Sequence, residues 1–256
     1  NNFKIRNKLS KKITYFKNSI SNERILKKIF KNFSIKKVIH LAAIVGEPAC
    51  NKDPKYSYDI NYNSSKKIFD LSVKYKVNQF IFVSTCSNYG KNKKSFVNEK
   101  SKLLPLSPYS HAKVNFEKYL MKNKSKIRNI SMLRLATVFG LSYRQRFDLT
   151  INEFVRDIFY KKKLEVYGEN FWRPYVHVAD IVNFIILILN RNKKGTDVVN
   201  VGKTENNFTK KMIVKKISKY LDIDNVSFNN RKIVDNRDYK VNFDKILKKY
   251  NYKIKF

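Results

Sequence analysis

Apolar positions along this chain fall into two periods. Short unbroken apolar runs recur at residues 37–42 (KVIHLA), 79–84 (QFIFVS), 130–136 (ISMLRLA) and 197–201 (DVVNV). Runs of this length without alternation predict strands covered on both faces, as in a parallel sheet. Residues 12–16 read as a further short strand. Between the runs lie segments with helical spacing. Residues 21–33 predict a helix capped by Ser21 or Asn22. In residues 64–75, Ile68, Leu71 and Tyr75 share one helix face. Residues 109–121, 149–160, 178–189, 209–221 and 243–250 predict five more helices. Strands alternating with helices of 10–15 residues predict βαβ units in a doubly wound parallel sheet. Such sheets bind ligands beyond the carboxyl ends of their strands. The loops after Ala43, Ser84 and Ala136 are therefore the expected lining of a site.

The 256 residues are 43% hydrophobic and 14% aromatic, which suits a folded chain with a sizeable core and excludes a disordered tail. The longest apolar stretch, residues 184–189, is far short of the roughly 18 residues of a membrane span. Cys50 and Cys86 sit in no CxxC or Cys/His cluster, so neither a disulfide framework nor a structural zinc is expected. These features predict a soluble, reduced, cytoplasmic protein.

The net charge of +35 suggests a polyanion partner. Its composition argues otherwise. Lysine supplies 44 of the 55 cations, arginine only 11, and asparagine occurs 30 times. The lysines are spread over nearly every segment rather than clustered among aromatics. A solvated basic surface is the favoured reading, and a polyanion-binding protein stays open beside it. The chain begins Asn1-Asn2 without methionine, shows no signal-peptide pattern, and is expected to be a fragment.

Chemistry concentrates after the run QFIFVS. Thr85-Cys86-Ser87-Asn88-Tyr89-Gly90 follows it, and Pro108-Tyr109-Ser110-His111-Ala112-Lys113 opens a helix. Tyr109 and Lys113, four apart, share a helix face. An ammonium beside a phenol lowers the phenol's pKa from about 10. With a strand-end hydroxyl such as Thr85 on the same substrate oxygen, the three form an acid–base set able to take a proton from an alcohol.

The whole arrangement resembles the extended short-chain dehydrogenase/reductase family, in its nucleotide-sugar epimerase and dehydratase branch. The matching segments are VIHLAA (38–43), FIFVSTCSNYG (80–90), PYSHAK (108–113), LRLATVFG (133–140) and RPYVHVADI (173–181), in the family's order and spacing. The resemblance implies an α/β Rossmann-like sheet with a smaller C-terminal substrate-binding α/β portion. Residues 1–140, with 175–205 returning, would form the dinucleotide-binding domain, and 141–174 with 206–256 the substrate-binding portion. It implies NAD, with NADP left open, and a nucleotide-diphosphate sugar as substrate. Thr85, Tyr109 and Lys113 match the catalytic set. Ala42, Ala43, Ser84 and Leu135, with Tyr109 and Lys113, match cofactor contacts. Thr137, Asn152, Tyr167 and Arg173 match substrate contacts, Arg173 as a diphosphate clamp. Asp235, Arg237 and Tyr239 match the stretch that closes over the nucleotide; Thr85 is expected on the substrate, and Cys86, directly after it, reads first as a small buried packing residue, with a substrate contact as the second reading. A homodimer is implied through the helices at 64–75 and 109–121; Phe69, Phe116 and Leu120 are candidate outward positions for it, although each could equally face its own sheet. No nucleic acid, membrane or metal is expected.

Two departures stand out. Glycines at 46, 90, 140, 168, 195 and 202 form no GxxGxxG, so the family's phosphate loop is expected to be missing. Ser19 stands where the family has an Asp against the adenine. The activity expected is NAD-dependent epimerisation at a sugar carbinol, C4 being the expected carbon. A 4,6-dehydratase is disfavoured because Cys86 and Ser87, after Thr85, include no carboxyl. A keto-sugar reductase stays open, as does a non-catalytic binding module, which the missing loop favours. The remaining candidates read as structural: His40, His111 and His177 as satisfied histidines, Asn88 and Tyr89 as turn residues, Trp172 as packing, and residues 161–163 as a solvated helix end. Arg144 and Arg146 lie on the expected substrate side and are candidates for phosphate or sugar contacts.

Overall fold

The four apolar runs pair side by side into one parallel sheet. A computed structural model describes residues 13–229 and 237–256. In chain order its elements are α1 (Glu23–Asn32), β1 (Lys37–His40), α2 (Glu47–Lys52), α3 (Pro54–Tyr58), α4 (Ser65–Lys74), β2 (Gln79–Thr85), β3 (Lys91–Val97), α5 (Pro108–Lys122), β4 (Asn129–Leu135), β5 (Thr137–Phe139), α6 (Thr150–Phe159), β6 (Leu164–Tyr167), β7 (Trp172–His177), α7 (Val178–Asn190), β8 (Gly195–Val201), β9 (Asn207–Thr209), α8 (Lys210–Ile217), β10 (Val226–Asn229), β11 (Asp238–Val241) and α9 (Asp244–Tyr250). A π-helical turn, Asp59–Ser64, leads into α4, and a 3-10 turn, Cys86–Tyr89, follows β2.

The sheet order is β1-β2-β4-β8. Thr85, Leu135 and Val201 end level with one another at its carboxyl edge. Side chains alternate across it with period two. Phe80, Phe82, Ile130 and Met132 face α4 and α5, where Ile68, Phe69, Phe116 and Leu120 meet them. Ile81, Leu133, Val199 and Val201 face Ile181, Phe184 and Ile188 of α7 and Ile246 of α9. Coverage on both faces explains why these strands read as unbroken apolar runs.

Phe69, Phe116 and Leu120 are thus core residues, fully buried against their own sheet. Their expected outward, dimer-forming placement is corrected by this packing. The outer faces of α4 and α5 instead expose Lys66, Lys67, Lys74, Lys118 and Lys122. The strand expected at 12–16 is not found over 13–16, which carry no regular structure, and Lys12 lies outside the described residues.

A smaller cluster lies apart from the sheet's two faces. Phe154 and Ile158 of α6 pack with Leu164 and Val166 of β6, Tyr175 of β7, and Ile213, Val214 and Ile217 of α8. Here β6 pairs with β10, β5 with β7, and β7 with β9. β3 and β11 form a parallel ribbon beside the turn after β2. These strands escape sequence reading because most are only three or four residues long, too short for alternation such as that of LEVY in β6 to stand out. Among the described residues no helix is long and apolar enough to cross a membrane.

Gly90 ends the 3-10 turn at φ 65°, and a Cβ there would lie 1.7 Å from the Leu104 carbonyl oxygen. Backbone cannot swing aside as a flexible side chain would. Gly90→Ala is expected to cost about 2–3 kcal/mol of stability. A thermal melt should fall by roughly 4–12 °C. An unchanged melting temperature would show that the Leu104 segment yields.

Candidate active site

Helix α5 is launched by a serine pair. Ser107 Oγ accepts the Ser110 N–H at 3.2 Å, and Ser110 Oγ accepts the Ser107 N–H at 3.0 Å. Pro108 occupies the first helical position, where a missing N–H costs nothing. This reciprocal cap fixes Tyr109 in the first turn and Lys113 one turn further along.

Lys113 is 2% exposed. Its ammonium donates to the Val83 carbonyl of β2 at 2.8 Å. It lies 4.6 Å from the centre of the Phe82 ring and 5.6 Å from that of Tyr109. Burial lowers its pKa to about 7, and Glu117, one turn on, works against that fall. Tyr109 is half-buried, and burial raises its phenol above the usual value, with Cys50 adding to the rise. The cations that oppose this are Arg146 and Arg237. The expected lowering of Tyr109 by Lys113 is therefore corrected. Burial dominates, and the charges acting on the phenol come from two loops rather than from its own helix.

Thr85 closes β2 and caps the following turn, its Oγ1 accepting the Ser87 N–H at 3.1 Å. Arg237, just before β11, donates to Ser87 Oγ at 3.1 Å. The same arginine acts on Tyr109, so Thr85, Ser87, Arg237 and Tyr109 gather at one edge. Arg146 joins them in a two-bond pair with Asp148, at 2.7 and 2.6 Å. The pair lies over Gly46, in the loop after β1.

That loop is held from beneath. Asn61, 1% exposed and within the π-helical turn, accepts the Ile44 N–H at 2.8 Å and donates to the Ile44 carbonyl at 2.9 Å. π-helical turns of this kind recur at functional sites. Ala42 is exposed and Ala43 half-buried at the mouth of the loop. His40 hydrogen-bonds Ser65 Oγ at 2.7 Å, and burial lowers its pKa to about 3. It is a neutral core histidine, as expected.

A buried carboxylate that the motif reading does not single out lies behind the site. Glu117 receives Arg134 Nη2 at 2.6 Å and Nε at 3.1 Å, Ser84 Oγ at 2.5 Å and Asn88 Nδ2 at 3.0 Å. Arg134 also donates to the Tyr89 hydroxyl at 3.0 Å, which donates to Asn200 at 2.8 Å. Asn88 and Tyr89 are thus buried network members, beyond the turn role expected of them.

Other expected site residues are placed as follows. Cys86 is 1% exposed, packs in the core and donates to the Arg134 carbonyl at 3.2 Å, so its expected substrate contact is corrected. Burial pushes its thiol well above the usual value. The Ser84 hydroxyl, expected beside the nicotinamide ribose, donates to Glu117. Asn152, expected on the substrate nucleotide, bridges the Gly140 N–H and the Arg146 carbonyl with its amide and so braces the loop between them. The Tyr167 hydroxyl donates to Glu165 on its own strand. Leu135 and Thr137 are half-buried at the carboxyl edge of β4 and the start of β5. Arg173 is 9% exposed, donates to the Trp172 carbonyl at 2.8 Å and lies 5.3 Å from the centre of the Tyr239 ring. Asp235 lies outside the described residues.

Sheet and side chains together define an α/β protein with Thr85, Tyr109, Lys113 and Arg237 at the carboxyl edge of a parallel sheet. The model of the NAD dependent epimerase/dehydratase family matches residues 1–202, and the chain belongs to that family. A UDP-glucuronate 4-epimerase of Thermodesulfobacterium geofontis is 28% identical over 211 residues, covering 81% of this chain and 64% of that protein's length. The structure of a Thermotoga maritima UDP-glucose 4-epimerase with UDP-glucose superposes at a TM-score of 0.85 and 26% identity, over 96% of this chain and 81% of that one. A Thermus thermophilus UDP-glucose 4-epimerase complex with NAD shares the fold at a TM-score of 0.85 and 20% identity, over 98% and 82% of the two chains.

A buried ammonium is costly even when hydrogen-bonded. Lys113 binds its proton less tightly folded than unfolded, so stability rises with pH from about 7 up to the unfolded lysine range. Lys113→Met keeps the stem and removes the charge. It is expected to melt several degrees above wild type at pH 6, with the gap closing toward pH 10. A gap independent of pH would show that the charge is not the cause.

Proposed function

We propose that this chain is an NAD-dependent nucleotide-sugar epimerase acting at a sugar carbinol, with C4 as the reacting carbon. The gathering of Thr85, Tyr109 and Arg237 at the carboxyl edge, with Lys113 one turn behind, is the observation that carries the reading. Relatives named as UDP-sugar 4-epimerases support it. Within it, residues 141–174 and 206–256 form the substrate-binding portion, which the cluster around Phe154 and Ile213 supports. A cytoplasmic homodimer belongs to the same reading, through a surface other than Phe69, Phe116 and Leu120.

The residues fit a dinucleotide on two counts. Ala42 and Ala43 present short side chains on a loop that Asn61 keeps in place, which suits a flat ligand passing close to backbone. Lys113 brings a cation with further donor capacity to the same edge. These residues, with Ser84, Tyr109 and Leu135, would hold NAD. Bound there, the cofactor supplies a hydride acceptor for the sugar carbon.

Thr85 and Tyr109 then bind the reacting hydroxyl, and Tyr109 carries its proton away and back. Arg146 and Arg237 favour the phenolate form that such a transfer needs, against the burial that raises the phenol. Arg173 and Arg237 are the donors suited to a diphosphate, planar and permanently charged. Epimerisation is favoured over dehydration because the two residues after Thr85 are a buried thiol and a hydroxyl engaged by Arg237. Neither is placed as a carboxyl acid to expel water.

Two substitutions test the reading in the full-length protein with a panel of nucleotide sugars. Tyr109→Phe is expected to fold normally and lose roughly 10²–10⁴ in turnover, the worth of a positioned proton-transfer group. Retention of most activity would remove the mechanism and leave a binding module as the better reading. Arg173→Ala is expected to raise KM by about 10–150-fold, the loss of one charge-assisted contact, with kcat changed far less. An unchanged KM in a folded variant would remove Arg173 from the diphosphate.

A further inference from the structure

We propose that Glu117 is a positioning residue that holds the register between helix α5, which carries Tyr109 and Lys113, and the ends of strands β2 and β4. The proposal rests on the acid–base reading of Tyr109 and Lys113 given above.

The geometry supports it directly. Glu117 is 3% exposed and receives hydrogen bonds from three separate segments. Ser84, next to Thr85, comes from β2 at 2.5 Å. Asn88 comes from the 3-10 turn at 3.0 Å, and Arg134, next to Leu135, from β4 at 2.6 Å. Each partner is therefore a neighbour of, or in the same turn as, a residue expected at the reacting carbon or the cofactor. Sliding α5 along the sheet by even part of a turn would break all of these bonds together. The carboxylate also lies one helical turn from Lys113, on the same face.

Charge adds a second effect. Lys113 is acted on by Glu117 along α5, lies 5.6 Å from the centre of the Tyr109 ring in the first turn, and itself helps to hold the His40 imidazole, at the end of β1, below its usual value. Glu117 in turn is paired with Arg134 from β4 and acts on Cys86 in the turn. Of the groups acting on Lys113, Glu117 is the anion that opposes loss of its proton by burial. Removing Glu117 should make Lys113 give up its proton at lower pH.

The experiment uses the full-length protein in three forms: wild type, Glu117→Asp, and the double variant Glu117→Gln with Arg134→Met. The double variant removes both buried charges, because removing one alone would leave its partner unpaired. Melting, kcat and KM with nucleotide sugars, and the NMR titration of the Lys113 ε-carbon are read for each. The double variant is expected to melt within a few degrees of wild type, lose at least roughly 100-fold in kcat with KM within threefold, and release the Lys113 proton at lower pH than wild type. Glu117→Asp keeps the charge, should leave the titration near wild type, and should lose roughly tenfold in kcat. A folded double variant with kcat within threefold of wild type, or with Lys113 titrating as in wild type, overturns the proposal. If the double variant does not fold, Glu117→Asp decides alone, and wild-type kcat there overturns it. If wild type turns over no nucleotide sugar, the functional reading fails, and the Lys113 titration still decides the charge coupling to Glu117.

Discussion

The Glu117–Arg134 pair is the constraint on which the site depends. Two opposite charges, each nearly inaccessible to water, meet at 2.6 Å between a helix and the central sheet. Such a pair adds little net stability compared with apolar side chains of the same volume, but breaking it costs about 3–5 kcal/mol. Its effect is therefore one of specification more than of stability. An apolar contact between α5 and β2 would tolerate small slides, as Phe82 and Phe116 could repack. A carboxylate with donors from Arg134, Ser84 and Asn88 tolerates none. The cap at Ser107 and Ser110 fixes where the helix starts, and Glu117 fixes where it lies.

The same pair shows what the sequence could and could not make legible. The four core strands and the main helices were readable because they bury both faces or one stripe, and burial leaves an unbroken or a 3.6-residue pattern. The proximity of Tyr109, Lys113 and Thr85 was readable because Tyr109 and Lys113 share a helix face next to a strand end. Glu117 and Arg134 left a signal of another kind. Each is a charge at a position where the pattern calls for a core residue, Arg134 inside ISMLRLA and Glu117 between Phe116 and Leu120. Charges at core positions are paired when they occur at all. The partner, however, cannot be read from spacing, because it arrives through tertiary packing across the sheet. Asn61 was hidden for the same reason, since the loop it braces comes from β1.

Cys86, Ser84 and Asn152 were matched to site positions by motif, and the structure gives each of their side chains a partner within the chain. In a strand, successive side chains point to opposite faces. Thr85 opens toward the turn, so Ser84 is directed to the helix layer and Glu117. Cys86 begins the 3-10 turn and falls back into the core beneath it. Phe69, Phe116 and Leu120 fail as outward residues by the same logic on a helix. The apolar side of α4 and α5 is needed by Phe80 and Phe82, and what remains outside is mostly lysine.

That outward lysine also bears on how the charge of +35 should be understood. The site uses few of these cations. Arg146, Arg173 and Arg237 are arginines, drawn from a minority of 11, and each is fixed by a partner: Asp148, the Trp172 carbonyl and Ser87. Among the described residues Lys113 is the one lysine brought into the core, and burial lowers its pKa to about 7. Rigid planar cations are held where ligand oxygens would be recognised, while flexible solvated ones cover the outside. Surface charge of this kind attracts any anion over long range and is screened within about 8–10 Å at ordinary salt. The proposed recognition of an anionic ligand therefore rests on Arg146, Arg173 and Arg237, whose directions the fold has set.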